Sequence, residues 1–260
     1  MLQLVVLGSG SRGNCTLVRY RGFSMLIDAG LSARQIVSRV RAAGFGEEEL
    51  DAVLLTHEHS DHVSGLVNLS KRVELTVYAN GGTLAALDGK LDVTAPVMEE
   101  FETGARIEVG PFEVRSFSLP HDAADPVGFV IEAGSERIGY ATDLGHVTKL
   151  VASRLRDCSV IVFEANHDRE MLRDGPYPVA TKQRVASRLG HLSNDVAARE
   201  LTEIVSGATR EVVLAHISER NNDARLAVAT VGCALAAAGR GDVGVTSAPQ
   251  SEPTPAITIA

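Results

Sequence analysis

His57-Glu-His-Ser-Asp-His62 decides how this chain is read. The run follows Asp51-Ala-Val-Leu-Leu-Thr56, an apolar stretch that predicts a strand. The end of that strand delivers four potential metal ligands, His57, His59, Asp61 and His62, to one sheet edge. Imidazole and carboxylate are donors for zinc and related first-row divalent ions. An open catalytic ion takes about three protein ligands and keeps a water. Four donors within six residues therefore point to two ions side by side, a pair that can activate one water between them.

A two-ion centre needs further ligands at other strand ends, and three residues have that context. His121 follows the alternating Val114-Arg-Ser-Phe-Ser-Leu-Pro120, Asp143 follows Arg137-Ile-Gly-Tyr-Ala-Thr142, and His216 follows Glu211-Val-Val-Leu-Ala215. Taken singly, a histidine at a strand end is more often an ordinary half-buried residue. As a set the five carry more, because five of the eight histidines fall at strand exits, as a site built on rigid elements requires.

The order H-x-H-x-D-H, then His, then Asp, then His resembles the metallo-β-lactamase fold superfamily, over nearly the whole chain. The resemblance implies that His57, His59 and His121 hold one ion, that Asp61, His62 and His216 hold the second, and that Asp143 bridges them. Three further motifs narrow the branch: Phe163-Glu-Ala-Asn-His-Asp168, Gly190-His-Leu-Ser-Asn194 and Leu214-Ala-His-Ile-Ser-Glu-Arg-Asn-Asn222. By resemblance to tRNA 3′-processing endonucleases, Glu164 pairs with His191 and the pair helps protonate the leaving oxygen. Closer still is the likeness to the bacterial YycJ/WalJ-type group, carried by residues 8–14, 26–32, 56–62, 120–129, 164–168 and 190–194. Members of that group are described as DNA exonucleases, which implies a two-metal phosphodiesterase acting on DNA.

The chemistry of the residues fits that reading. A histidine with a reference pKa of about 6.5 suits general-acid work near neutrality, and a carboxylate beside it favours the imidazolium. Asp61 has a second role open to it, holding the proton of the attacking water. Ser193 or Asn194 is expected to cap a helix beginning near Asp195, and a helix N-terminus suits a phosphate. Substrate contacts are also expected from Ser9, Ser11, Arg12 and Asn14, and from Asn166, His167, Ser193, Asn194 and Asn222. Zinc and manganese both suit the donors, with iron an option, because availability often decides among such metals.

Gly8-Ser-Gly-Ser-Arg-Gly13 imitates a dinucleotide fingerprint, with Asp28 at the distance of a ribose-binding carboxylate. That fingerprint needs a helix to start at the glycines. Here two strand patterns follow instead, 15–20 and 23–28, so no nucleotide cofactor is expected, and the family resemblance implies that the loop borders the active site.

Strand patterns recur at 2–7, 51–56, 75–79, 105–109, 112–118, 127–132, 136–142, 159–163 and 211–215. Helical patterns occupy 33–43, 63–70, 82–88, 147–156, 180–189, 195–206 and 224–238. Ser32 with Gln35 reads as a capping box for the first helix, with Leu31 and Ile36 as its staple and Gly44 as its stop. Strand-rich blocks each followed by helices predict an α+β fold, an αββα sandwich of two mixed sheets with helices on the outer faces. Residues 1–246 read as one domain, and 247–260 as a partly ordered tail that can return as a last edge strand. Only 73 positions separate Asp143 from His216, too few for an inserted cap domain.

The 260 residues are 45% hydrophobic and carry a net charge of −8. That charge sits awkwardly with nucleic acid, but two divalent ions add about +4 at the site. The segment 166–191 also opposes the trend, with Arg169, Arg173, Lys182, Arg184 and Arg188, and is expected to line the substrate groove. Three widely spaced cysteines, Cys15, Cys158 and Cys233, exclude a disulfide framework and read as buried apolar residues of a cytoplasmic protein. No signal peptide or membrane span is visible. The rival readings on the same ligands are an RNA-processing nuclease, a small phosphodiesterase, a thioesterase of the glyoxalase II type, and a non-catalytic metal-bound regulatory module.

Overall fold

The computed structural model describes residues 1–89 and 97–259. Alternating and buried apolar runs form two seven-stranded sheets among these residues. The first contains β1 (Leu2–Gly8), β2 (Cys15–Tyr20), β3 (Phe23–Ile27), β4 (Leu50–Leu54), β5 (Thr76–Asn80) and β6 (Val97–Phe101) in that order, with the last strand of the chain, β14 (Ile257–Ile259), beside β1. The second orders β13 (Gly244–Ser247), β12 (Glu211–Ala215), β11 (Val160–Glu164), β10 (Glu136–Ala141), β9 (Val127–Ala133), β8 (Phe112–Ser118) and β7 (Arg106–Val109). Both sheets are mixed: β1, β2 and β3 pair antiparallel and β3 to β6 parallel, while β9 and β10 pair antiparallel and β10 to β13 parallel.

The chain falls into two compact units. The first comprises residues 1–116, 123–127 and 249–260, and the second 117–122 and 128–248. Residue 260 of the expected tail lies outside the described residues.

In the first unit, α1 (Ala33–Ala42) is an amphipathic helix whose Ile36, Val37 and Val40 pack with Val5, Leu17, Leu26 and Val53 of the sheet. Its capping box forms as read, with Ser32 accepting from the Gln35 N–H. The helical pattern at 63–70 resolves into α2 (Ser60–Val63) and α3 (Leu66–Ser70). The break comes where the Gly65 N–H bonds to the Ala29 carbonyl at 2.8 Å and the Asp61 carbonyl accepts from Asn14 instead, and only glycine fits there, since a Cβ would lie 1.9 Å from the Leu31 carbonyl oxygen. The first unit also holds α4 (Gly81–Leu87).

In the second unit, α5 (Lys149–Leu155), α8 (Asn194–Ile204) and α9 (Ala224–Ala237) share one core with the strands, through Val151, Leu155, Leu201, Ile204, Val231 and Leu235 against Ile161, Phe163, Val212 and Leu214. Two shorter helices, α6 (Arg169–Asp174) and α7 (Val179–Val185), carry the basic segment. α7 stops at Val185 instead of running to 189, and the backbone turns through Ser187 to reach Gly190, whose N–H bonds to the Ser187 carbonyl. Cys15 and Cys158 are buried as expected, but Cys233 is exposed on α9. Burial pushes the Cys158 thiol up to about 12, which keeps it protonated and unreactive. No helix among the described residues is long and apolar enough to cross a membrane.

Candidate metal centre and acid–base pair

In the first unit, β4 ends at Leu54 and the chain turns into α2, so His57 and His59 lie on the connecting loop while Asp61 and His62 sit in α2 itself. His57 and His62 are buried, while His59 and Asp61 are partly exposed. The ring centroids of His57 lie 4.6 Å from His59 and 4.1 Å from His62. Three imidazoles and a carboxylate from six residues are thus brought together.

Their orientation is fixed from behind by Asp28 and Thr56. Asp28 Oδ2 lies 2.8 Å from His62 Nδ1. Asp28 also accepts from the Thr56 N–H at 2.8 Å and from its hydroxyl at 2.9 and 3.0 Å. Thr56 Oγ1 lies 3.0 Å from His57 Nδ1. With Nδ1 engaged, each ring presents Nε2, which is how a histidine is set to face a metal ion. Burial pushes the Asp28 carboxyl up, against the lowering pull of His62 and Thr56. Sequence reading met Asp28 in the dinucleotide-like pattern and inside the 26–32 motif, and gave it no role at the site. The signal that finds it is Leu26-Ile-Asp-Ala-Gly30, a buried strand ending in a carboxylate followed by two small residues.

The smallness of those residues is required. Backbone bonds tie this loop to the ligand run, from the Ala29 N–H to the His62 carbonyl at 2.8 Å and from the Asn14 N–H to the Asp61 carbonyl at 2.7 Å. A Cβ on Gly30 would stand 1.6 Å from the Asp61 carbonyl oxygen. Gly30→Ala is therefore expected to shift the whole ligand run, to destabilise the protein by about 3 kcal/mol, the upper part of the overpacking range, and to weaken metal binding. A urea midpoint and a metal titration check this, and an unchanged midpoint counts against the account.

In the second unit, His121, Asp143 and His216 leave the ends of β8, β10 and β12. His121 Nδ1 lies 3.1 Å from the Gly190 carbonyl and so donates to it, again leaving Nε2. Asp143 Oδ1 lies 3.4 Å from His216 Nε2 and 3.9 Å from His121 Nε2. Burial lowers the His121 pKa, against the raising pull of Asp143, and holds the imidazole neutral as a ligand must be. Asp28, Asp143 and His216 all take left-handed backbone, at φ of 61°, 63° and 53°. Each such residue costs about 1 kcal/mol. Strain of this kind gathers at functional sites, where it aims a side chain that ordinary strand geometry would point elsewhere.

Glu164 and His191 meet as well. Glu164 Oε1 lies 2.8 Å from His191 Nδ1 and 3.2 Å from His216 Nδ1, and Oε2 accepts from the N–H groups of Leu192 at 2.9 Å and Leu144 at 3.2 Å. Burial raises the pKa of this fully buried carboxyl, but the charge and hydrogen bonds of His191 and His216 outweigh burial and hold it below the ordinary carboxylate range. Asp143, Glu164, His191 and His216 each offer an atom within 4.8 Å of the others. Both Glu164 oxygens are already engaged, with two imidazoles and two backbone N–H groups. The donor set fits divalent ions: imidazole nitrogens and carboxylate oxygens, with ring nitrogens held from behind.

The expected substrate contacts divide. Ser11 and Arg12 are exposed on the β1–β2 loop. Ser9 donates to Asn14 Oδ1 at 3.2 Å, and the buried Asn14 amide lies 3.3 Å from Asp61 Oδ2 and 3.1 Å from His62 Nε2. Asn166 donates to the His216 carbonyl at 2.8 Å. Asn194 and Asn222, read from sequence as substrate contacts, are instead buried and exchange two hydrogen bonds of 2.8 Å. Ser193, not Asn194, caps α8, accepting from the Val196 N–H. The basic segment divides too. Arg184 pairs with Asp122 at 2.6 Å, and Arg188 lies 3.2 Å from His146 Nε2, which gives His146 a surface partner. Arg169, Arg173 and Lys182, with His167, line a cavity beside His191.

Comparison with known proteins follows the same lines. The β-lactamase superfamily domain matches residues 24–217. The exodeoxyribonuclease YycJ of Bacillus anthracis is 35% identical over 241 residues, covering 92% of this chain and 91% of that protein. The exodeoxyribonuclease WalJ of Streptococcus pneumoniae is 36% identical over 245 residues, covering 92% and 89%. The crystal structure of the metallo-β-lactamase fold protein YhfI from Bacillus subtilis superposes with a TM-score of 0.77 at 18% identity, covering 98% of this chain and 99% of that one. The two mixed sheets with their helices are thus the metallo-β-lactamase fold.

Proposed function

The chain belongs to the β-lactamase superfamily and groups within it with the YycJ and WalJ exodeoxyribonucleases, and from that premise we propose that it is a two-metal phosphodiesterase that degrades DNA from an end. His57, His59 and His121 would hold one divalent ion, Asp61, His62 and His216 the other, and Asp143 both. Zinc or manganese, when bound, supplies Lewis-acid charge for the phosphoryl oxygens and an activated water.

The chain's own residues supply the rest. The observation that carries the reading is the Glu164–His191 pair at 2.8 Å. Glu164 stays ionised and fixes Nδ1 of His191, so Nε2 is the nitrogen that can give a proton to the leaving oxygen. An alkoxide leaving from a nucleotide needs that proton, whereas a thiolate leaving from a thioester does not. Asp61, partly exposed and with Oδ2 3.3 Å from the Asn14 amide, would take the proton of the attacking water.

End-labelled single- and double-stranded DNA and RNA, incubated with added zinc or manganese, test the assignment. The expected result is metal-dependent release of mononucleotides from DNA, abolished by chelation, with about two ions bound per chain. Cleavage confined to RNA would move the protein to the RNA-processing nucleases. Two bound ions with no cleavage of any diester would end the phosphodiesterase reading.

A further inference from the structure

The glycine-rich loop Gly8-Ser-Gly-Ser-Arg-Gly13 has no part in the chemistry proposed above. It joins β1 to β2 within the first unit and lies against the ligand run. The Gly13 N–H bonds to the Gly10 carbonyl at 3.0 Å and closes a turn, and the next residue, Asn14, is 1% exposed. Asn14 Oδ1 accepts from the Gly10 N–H at 2.8 Å and from the Ser9 hydroxyl at 3.2 Å. An N–H donates only to the oxygen of an amide, so these bonds fix which way the Asn14 amide points. Its Nδ2 therefore faces Asp61, donating to Oδ2 at 3.3 Å, and passes 3.1 Å from His62 Nε2. The Asn14 backbone N–H donates to the Asp61 carbonyl at 2.7 Å. One buried residue thus grips Asp61 at both its carboxylate and its backbone.

The same loop is clasped from its other side by the segment that leads into β14. Gln250 Oε1 accepts from the Arg12 N–H at 2.9 Å, and its Nε2 donates to the Gly13 carbonyl at 3.0 Å. Both ends of one side-chain amide are therefore spent on the two residues that precede Asn14. The Pro249 carbonyl accepts from the Ser9 N–H at 3.2 Å. Arg39, half-buried on α1, fixes the clasp in turn, donating to the carbonyls of Leu7 at 2.7 Å, Gln250 at 3.1 Å and Ser251 at 2.9 Å. A loop with glycine at three of its six positions has much conformational freedom to lose, and these bonds remove it on the side away from Asp61.

We propose that Gln250 is a positioning residue for the ion assigned to Asp61 and His62, acting through Arg12, Gly13 and the amide of Asn14. The inference rests on that ligand assignment in the two-metal reading. It gives the glycine-rich loop a task other than touching substrate: the loop carries a fixed amide to a metal-binding carboxylate. It also makes the two ions unequal. The bonds of the clasp lead to Asp61 and His62, whereas the His57 ring is set by Thr56.

Metal binding tests this without reference to cleavage. The full chain is stripped with chelator and titrated calorimetrically with zinc, and His62→Ala identifies which of the two binding steps belongs to Asp61 and His62. Asn14→Ala should weaken that step by about 10–100-fold, the cost of losing an outer bond to a ligand, and Gln250→Ala, which acts one residue further out, by about three- to tenfold. The other step should stay as in the wild type. Thr254→Val is the control for a merely structural role. Thr254 lies on the same segment but bonds to Val6 of β1, its N–H to the Val6 carbonyl at 2.9 Å and its Oγ1 to the Val6 N–H at 3.0 Å. Thr254→Val should lower the Tm as Gln250→Ala does and leave both zinc steps unchanged. Zinc steps unchanged in Gln250→Ala, or weakened alike in Gln250→Ala and Thr254→Val, overturn this inference and leave the two-metal reading standing. A single zinc step in the wild-type chain overturns the two-metal reading and the inference with it.

Discussion

Replacing His191 with alanine is expected to lower turnover on DNA by about 10²- to 10⁴-fold, the range of a general acid, while the protein keeps its fold and its metal content. That loss corresponds to about 3–5 kcal/mol of barrier. The geometry explains why so much rests on one ring. Glu164 is fully buried, is held as a carboxylate, and bonds to His191 Nδ1 at 2.8 Å. The imidazole therefore cannot turn, and Nε2 is the nitrogen left to act. The side chain is only 15% exposed, so water is a poor substitute donor. The choice of substrate makes the expectation sharp. A nucleotide alkoxide needs protonation as it leaves, but p-nitrophenolate does not. On bis-p-nitrophenyl phosphate the same substitution should cost less than about tenfold. Equal losses on both substrates would show that His191 positions the substrate and does not protonate the leaving group.

The sequence made the run from His57 to His62 legible because its donors are adjacent in the chain. His121, Asp143 and His216 were legible for a different reason. Each follows a strand pattern, and a strand's end is a fixed point in space. Glu164 and His191 came only through resemblance, since they stand 27 positions apart and no local pattern joins them. What stayed hidden was support that depends on close backbone approach. Asp28 serves His62 across 34 positions, and no periodicity reports a hydrogen bond of that span. The helical pattern at 63–70 divided although its apolar spacing was sound, because the Gly65 N–H is taken by the Ala29 carbonyl, a distant partner that spacing does not report. β6 escaped notice because Val97-Met-Glu-Glu-Phe101 is an exposed edge with two adjacent charges, and lacks the alternation of a half-buried strand. Asn194 and Asn222 were misread because a polar residue near a motif suggests a ligand, whereas two amides facing each other satisfy themselves.

Asp143→Asn and Asp28→Asn should separate a ligand from its support. Asparagine keeps the volume of aspartate and tolerates the left-handed backbone that both positions adopt, at φ of 63° and 61°, so neither change should unfold the chain. They differ in where charge is lost. Asp143 is 2% exposed and lies 3.4 Å from His216 Nε2 and 3.9 Å from His121 Nε2, the nitrogens assigned to the ions. An amide there removes one unit of negative charge from a buried group of imidazoles and gives up the donor assigned to both ions. Metal affinity should fall by more than about 100-fold and turnover with it, and added metal should not restore the rate. Asp28 stands one bond further out, bonded to His62 Nδ1 at 2.8 Å. Loss of an outer carboxylate of that kind costs about 10–100-fold in affinity, so saturating metal should recover much of the activity of Asp28→Asn. Metal content by atomic spectroscopy, with turnover measured across a metal titration, reads both variants. If Asp28→Asn proves as severe and as irrecoverable as Asp143→Asn, the order of support and ligand drawn from these distances is wrong.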